Sequence, residues 1–202
     1  MIFPMTQPLT NVDYAWIENY IDRTSAAMAE LKSQAPAVNA VATVIKTALL
    51  NGGKLLTAGN GGSAAEALHL AEELTGRYSQ PDRRALPAIC LAADGTALTC
   101  IANDWEFSKV FSRQVEAFAN PQDVLVLFST SGNSENLIAA ARAMRDRGGK
   151  VVGLLGRGGG RLRPLCDLAV VAAGEQSGPI QECHQVILHL ILEKVEHNEA
   201  AV

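Results

Sequence analysis

One predicted helix of this sequence carries an imidazole and a carboxylate at positions where they can act together. His69 and Glu73 lie four residues apart, so on a helix they point from one face, one turn apart. Such a pair can share a divalent metal ion, or act as an acid and a base on one substrate. An ordinary surface pair on an amphipathic helix has the same spacing. The apolar neighbours Leu68, Leu70 and Leu74 favour a face that is at least partly covered.

A glycine-rich turn precedes this helix. The apolar run Leu55–Ala58 leads into Gly59-Asn60-Gly61-Gly62-Ser63, where the helix begins. A strand that ends in such a turn and feeds a helix presents free backbone N–H groups, which bind phosphate. We therefore expect the turn to bind a ligand and the helix behind it to supply the reacting groups.

A second polar loop follows the apolar run Val124–Phe128. It reads Ser129-Thr130-Ser131-Gly132-Asn133-Ser134, and its four hydroxyls can donate hydrogen bonds to phosphate oxygens. A helix cap and a turn alone would also explain so dense a cluster. Two such loops in one sheet favour a phosphorylated ligand bound across the carboxyl ends of the strands. Dinucleotides and nucleoside triphosphates are disfavoured, because the sequence has no Gly-x-Gly-x-x-Gly opening a helix and no Gly-Lys-Ser or Gly-Lys-Thr.

Short apolar runs alternate with segments of helical periodicity along the chain. The five predicted strands are Leu55–Ala58, Ala88–Ala92, Val124–Phe128, Val151–Leu155 and Leu168–Ala172. The predicted helices are Val12–Leu31, Val38–Leu50, Ser63–Leu74, Thr96–Ala102, Glu106–Ala119, Ser134–Arg147 and Ile180–His197. This order predicts an α/β fold with a doubly wound, mostly parallel five-stranded sheet flanked by helices. We expect a single domain over residues 1–202, with N-terminal helices in 1–51 and an α/β core in 52–202.

Composition limits the function further. The 202 residues are 48% apolar and only 5% aromatic, which suits parallel strands packed under alanine-rich helices. A net charge of −4 with 17 scattered Lys and Arg residues disfavours a nucleic-acid partner. No apolar stretch reaches about 18 residues without interruption, so we expect no membrane span.

Cysteine usage and the closing helix give two more expectations. The cysteines are Cys90, Cys100, Cys166 and Cys183. Because the sequence shows no Cys-x-x-Cys spacing and no recognisable signal peptide, we expect these cysteines to be buried free thiols and the protein to be cytoplasmic. The closing helix has a wide apolar stripe, which predicts self-association as a symmetric dimer or tetramer.

Seven segments together resemble the phosphoheptose isomerases, a branch of the sugar isomerase (SIS) domain family. In chain order they are Gly59–Ser63, His69-x-x-x-Glu73, Thr75–Tyr78, Asn103-Asp104, Phe111–Arg113, Ser129–Ser134 and Ile180–Glu182. The serine-rich loop alone indicates only the broad SIS family, whereas His69, Glu73 and Gln181 indicate the heptose branch. The resemblance implies an SIS-type, flavodoxin-like sandwich. It also implies conversion of sedoheptulose 7-phosphate to D-glycero-D-manno-heptose 7-phosphate, for the heptose of bacterial surface polysaccharide.

The resemblance also implies roles for individual residues. Its substrate-binding positions fall on Asn60, Gly61, Gly62, Ser63, Glu73, Asn103, Asp104, Ser129, Thr130, Ser131, Ser134 and Gln181. Glu73 matches the catalytic base that moves a proton between C1 and C2, and His189 matches the partner acid/base. The side chains that match zinc ligands are His69, Glu73, Gln181 and His189. A homotetramer is implied as the assembly.

Spacing on the closing helix conflicts with one part of this ligand set. Gln181 and His189 are eight residues apart, which is about 12 Å of helix rise. His184, three residues from Gln181, is favoured by spacing alone. Ligands shared between subunits would also remove the difficulty.

Two positions depart from the heptose pattern, and one other function is open. Ala64 stands where His is common, and Gly178 stands where an acidic residue is expected. The second change falls beside the implied sugar site and bears on substrate stereochemistry or rate. The alternative function is a non-catalytic phosphosugar sensor or protein-binding regulator, such as the replication-initiator-associating SIS proteins. Those relatives typically lack the complete set of acid/base and metal-binding residues. This chain has all four of these side chains.

Overall fold

Two helices precede the first strand in the computed structural model, which describes residues 13–197. They are α1 (Ala15–Leu31) and α2 (Ala35–Leu50), joined by a 3-10 turn at Lys32–Gln34. The predicted start of α1 at Val12 lies outside the described residues. Pro36 occupies the first turn of α2, where its missing N–H costs nothing because that group has no partner within a helix.

Five parallel strands form one sheet, which confirms the predicted fold class. In chain order the strands are β1 (Leu55–Ala58), β2 (Ala88–Cys90), β3 (Val124–Ser129), β4 (Lys150–Leu155) and β5 (Leu168–Val171). Their order in the sheet is β2-β1-β3-β4-β5. The winding direction therefore reverses between β1 and β3. In doubly wound folds the ligand crevice lies at this reversal, outside the carboxyl ends of the strands.

Helices cover both faces of the sheet. They are α3 (Gly62–Thr75), α4 (Gly95–Asp104), α5 (Ser112–Phe118), α6 (Glu135–Asp146) and α7 (Ser177–Glu196). One core cluster joins α2, α3 and α7 to one face, and a second joins α5 and α6 to the other. No helix within residues 13–197 is long and apolar enough to cross a bilayer.

The prediction of one helix over Glu106–Ala119 was wrong, because the chain breaks it into a 3-10 turn at Phe107–Lys109 and α5. Val110 and Phe111 are both buried at the break. The side-chain amide of Gln114 donates to the carbonyl of Val110 at 2.8 Å. In a continuous helix that carbonyl would accept the backbone N–H of residue 114.

The prediction of four buried thiols was wrong for two of them. Cys90 and Cys183 are buried, Cys166 is half-buried and Cys100 is exposed. Cys100 lies on α4, which has no buried residue. Its apolar neighbours in the sequence therefore do not cover it.

Candidate functional site

The two polar loops predicted from the sequence lie side by side at the point where the sheet winding reverses. The loop after β1 contributes Asn60, and Asn136 lies in the first turn of α6, directly after the serine-rich loop. Their side-chain amides exchange two hydrogen bonds of 2.8 and 3.0 Å. Gly61, which precedes α3, has a φ of +58°, a conformation that favours glycine. Both loops thus present helix amino termini to one crevice, as anion binding requires.

Hydrogen bonds within the serine-rich loop hold some hydroxyls inward and leave others at its surface. Ser129 is buried, and its Oγ accepts the N–H of Gly132 at 3.0 Å. A Cβ on Gly132 would overlap the carbonyl of Gly159, so only glycine fits this close approach. Ser131 is half-buried, with its Oγ 3.2 Å from the N–H of Asn133. Ser131 therefore remains accessible to a ligand.

Arg157 is a charged residue beside this loop that sequence reasoning did not single out. Its guanidinium donates to Ser177 Oγ at 3.2 Å, and Ser177 Oγ lies 3.2 Å from Thr130 Oγ1. A guanidinium at this position favours an anionic ligand. The only sequence signal was its place in the loop after a strand, next to Gly156.

One face of α7 connects the serine-rich loop to the predicted acid/base helix. This site face consists of Ser177, Gln181, Gln185 and His189, spaced four residues apart. Ser177 contacts Thr130. Gln181 Nε2 donates to Ser63 Oγ at 3.4 Å, and Gln185 Oε1 lies 3.0 Å from His69 Nδ1. The His189 ring meets the His69 ring edge-on, with centroids 5.2 Å apart. From Ser177 to His189 the helix rises about 18 Å.

His69 and Glu73 face each other on α3, as their spacing predicts. His69 Nε2 lies 3.4 Å from Glu73 Oε1, with the two side chains 30% and 19% exposed. The predicted partial cover of this face is therefore confirmed. Glu72, which is exposed, brings a third ligand atom within 4.8 Å of the other two.

This donor pair fits a divalent metal ion. Two ligand atoms about 2.1 Å from a tetrahedral ion lie roughly 3.4 Å apart, which matches the separation of Nε2 and Oε1. Imidazole and carboxylate are also ligand types that zinc accepts. Two other residues were matched to ligands. The His189 ring contacts the His69 ring, whereas Gln181 lies about 12 Å of helix rise from His189 and contacts Ser63.

His184, which spacing alone favoured as a ligand, lies elsewhere. It is fully buried, with its ring edge-on to Phe128 and its Nδ1 3.5 Å from Glu66 Oε2. His184 lies roughly 60° around α7 from Gln181, on the side of the helix that is buried in the core, whereas Gln181 is half-buried. The face that meets His69 is continued by Gln185 and His189 instead.

Asn103 and Asp104 lie at the exposed end of α4. Asn103 Nδ2 donates to Asp104 Oδ1 at 2.9 Å, and Cys100 Sγ lies 3.5 Å from Asp104 Oδ2. A cavity of about 430 Å³ lies beside both polar loops. Its lining includes Phe107 and Ser108, which belong to the segment that follows α4. Sequence reasoning missed these two residues, which lie in the region wrongly predicted as one helix.

A buried carboxylate holds the segment after α3 against His189. Glu196 accepts the backbone N–H groups of Tyr78, Ser79 and Gln80 at 2.8 to 3.0 Å, and pairs with Arg83 at 2.8 Å. Burial alone would raise the pKa of Glu196, but hydrogen bonds from Ser79, Arg83 and Tyr78 lower it to about 2. The Tyr78 ring stacks on His189 with centroids 5.7 Å apart. Sequence reasoning had noted Tyr78 only as part of a motif and missed Glu196.

The parallel sheet with two polar loops at its winding reversal places this chain among the doubly wound α/β proteins that bind ligands at that edge. The sequence profile of the SIS domain family matches residues 19–156. The chain belongs to the SIS domain family.

Curated relatives cover most of the chain. It is 47% identical to a phosphoheptose isomerase of Solidesulfovibrio magneticus over 182 residues, which are 90% of this chain and 88% of the relative. It is 52% identical to a phosphoheptose isomerase of Chlorobaculum parvum over 161 residues, 79% of this chain and 77% of the relative.

Solved structures agree with these relatives. A phosphoheptose isomerase from Neisseria gonorrhoeae is 35% identical, with a TM-score of 0.85 over 91% of this chain and 98% of that one. A phosphoheptose isomerase from Francisella tularensis is 31% identical, with a TM-score of 0.89 over 93% and 100%. The fold is shared by the sugar isomerase domain of a transcription factor from Sphaerobacter thermophilus. That domain is 17% identical, with a TM-score of 0.65 over 93% of this chain and 92% of that one.

Proposed function

We propose that this chain is an aldose–ketose isomerase that converts sedoheptulose 7-phosphate to D-glycero-D-manno-heptose 7-phosphate, and that its product supplies heptose for bacterial surface polysaccharide. The relatives support this substrate, since four-fifths or more of the chain aligns with several phosphoheptose isomerases. The observation that carries the chemistry is the grouping of Glu73, His69 and His189 on facing sides of α3 and α7.

The proposed reaction moves one proton between neighbouring carbons. The Glu73 carboxylate removes a proton from C1 of the ketose, and the resulting enediolate takes the proton back at C2. His189 moves the hydroxyl protons, so that O1 loses one as the aldehyde forms and O2 gains one. Each positioned acid or base contributes on the order of 10²–10⁴ in rate.

The same proposal assigns the phosphate to the serine-rich loop. Backbone N–H groups at the start of α6, the accessible Ser131 hydroxyl and the nearby Arg157 guanidinium support an anionic group there. Asn60, Gly61, Gly62 and Ser63 form the adjoining wall. Asn103 and Asp104, at the end of α4, are proposed to contact the sugar.

The Ser131→Ala variant tests this phosphate site. We expect it to weaken binding of sedoheptulose 7-phosphate and of inorganic phosphate in parallel, by roughly tenfold or more, because one hydrogen bond to a charged group is lost. Titration calorimetry with both ligands measures the effect. Ser33→Ala, at the exposed turn after α1, is the control. Unchanged affinity for both ligands would remove the loop from the site.

We further propose one zinc ion per site, held by His69, Glu73, Gln181 and His189. When bound, zinc would act as a Lewis acid that polarises the substrate carbonyl or hydroxyl oxygens. Because Gln181 lies at Ser63 while His189 lies at His69, the complete set is proposed to form between subunits.

A homotetramer in the cytoplasm is the proposed setting. An apolar groove of about 660 Å³ supports self-association, and its lining includes Met28, Leu31, Val38, Val186 and Leu190. Val186 and Leu190 belong to the predicted apolar stripe of α7 but are 36% and 44% exposed. A second copy would cover them.

Isotope exchange tests the function directly. In D₂O, we expect the purified protein to catalyse incorporation of deuterium at C1 of sedoheptulose 7-phosphate and at C2 of the product. NMR measures this incorporation. A chelator is expected to reduce the rate by at least tenfold, and added zinc to restore it. Phosphosugar binding without any exchange would instead favour the non-catalytic regulator, and full activity in chelator would contradict the metal site.

A further inference from the structure

Gln185 lies on the α7 site face between the two matched residues Gln181 and His189, and neither the sequence motifs nor the proposed reaction uses it. It lies one turn after Gln181 and one turn before His189, and it is half-buried. Its Oε1 lies 3.0 Å from Nδ1 of His69. This contact is shorter than the 3.4 Å between the other ring nitrogen of His69 and Glu73.

The two contacts of the His69 ring have different chemical consequences. A neutral imidazole has one N–H donor and one lone pair, on different nitrogens. With the Gln185 amide oriented so that Oε1 faces Nδ1, the oxygen can only accept, and this orientation places the proton on Nδ1. Nε2 then keeps its lone pair, and it faces the carboxylate of Glu73.

Without Gln185, the ring would favour the opposite arrangement. A proton on Nε2 would donate to Glu73 Oε1, and the nitrogen that faces the carboxylate would have no lone pair for a cation. The choice between these tautomers therefore depends on a residue of α7. Metal-bound histidines are commonly fixed in this way through their other ring nitrogen.

We propose that Gln185 is a positioning residue, which holds His69 in the Nδ1–H tautomer and so presents Nε2, beside Glu73, to the metal ion. This inference rests on the metal site of the proposed function. It adds a residue outside the four matched ligands. It also gives a physical reason for the glutamine at this position, since the oxygen of an uncharged side chain orients the ring without placing a second carboxylate beside that of Glu73.

Ring tautomers in the metal-free protein test the proposal without reference to activity. The chain has four histidines, so ¹⁵N-histidine labelling gives few signals. The signals that disappear in a His69→Asn variant are those of His69. At a pH where His69 is neutral, wild type is expected to show Nδ1–H. Gln185→Leu is expected to shift His69 towards Nε2–H, whereas Gln185→Glu, which restores an acceptor, is expected to return it to Nδ1–H.

Zinc affinity, measured by competition with a chromogenic chelator, is the second readout. We expect Gln185→Leu to bind zinc about 10- to 100-fold more weakly than wild type, Gln185→Glu to bind within a few-fold of wild type or more tightly, and the exposed-loop control Gln122→Leu to be unchanged. A Gln185→Leu protein that keeps the Nδ1–H tautomer, or that keeps wild-type zinc affinity, overturns the proposal. If His69→Asn binds zinc as wild type does, the proposed metal site itself fails, and the tautomer measurement still reports separately on Gln185.

Discussion

Replacing Glu73 with Gln is expected to lower kcat by about 10²–10⁴, because the amide cannot accept a proton from carbon. The side chain keeps its size and its place on α3 facing His69, so the phosphate loop should be undisturbed. We therefore expect the affinity for sedoheptulose 7-phosphate to change by only a few-fold. Steady-state kinetics and calorimetry measure the two quantities on the same preparation.

Glu72→Gln is the matched control, because it changes the same functional group at the adjacent position. Glu72 is exposed, and it lies within 4.8 Å of the His69 and Glu73 ligand atoms. We expect it to retain most of the wild-type rate. If instead Glu73→Gln isomerises at nearly the wild-type rate while Glu72→Gln does not, the base has been assigned to the wrong carboxylate.

The strands were predictable because burial on both faces makes them short apolar runs. β1 has the predicted bounds Leu55–Ala58, and the other four strands differ from prediction by one or two residues at an end. The break before α5 was not predictable from periodicity. It depends on a tertiary contact, since the Gln114 amide also donates to the carbonyl of Leu91 in the turn after β2, and local pattern carries no information about such a partner.

The site was predictable where its residues are close in sequence. The spacing of His69 and Glu73 indicated the face that they share, whereas the anion site in the serine-rich loop stays a prediction. Partners from distant segments were not predictable in this way: Gln185 meets His69 across 116 positions, and Glu196 meets Tyr78 across 118. Spacing from Gln181 alone favours His184 over His189, but spacing carries no information about which side of α7 enters the core, where His184 lies.

The carboxylate of Glu196 is expected to be among the most important single groups for stability. Its side chain and that of Arg83 are 2% and 1% exposed, and Arg83 also donates to the carbonyls of Glu73 and Leu74 at the end of α3. Glu196→Gln leaves this guanidinium buried without its counter-charge. Loss of one partner of a buried pair costs about 3–5 kcal/mol, so we expect a decrease of that order in the free energy of unfolding.

The pH dependence of this loss gives a sharper test. The pKa of Glu196 is about 2 in the folded protein, below its ordinary value of 4.5. A lowered carboxyl pKa stabilises the fold fully above the unfolded value, and the contribution is lost as pH falls towards the folded value. The stability difference between wild type and Glu196→Gln, from urea unfolding, should therefore be constant near pH 7 and shrink from about pH 4.5 to about pH 2.

Glu182→Gln, an exposed carboxylate on the same helix, is the control and should show no such shrinking difference. The segment that Glu196 holds carries Tyr78, whose ring stacks on His189. We therefore expect Glu196→Gln to lower kcat as well, at temperatures where the protein is still folded. A Glu196→Gln protein as stable as wild type at pH 7 would show that Arg83 finds other partners, and that the carboxylate does not hold this segment in place.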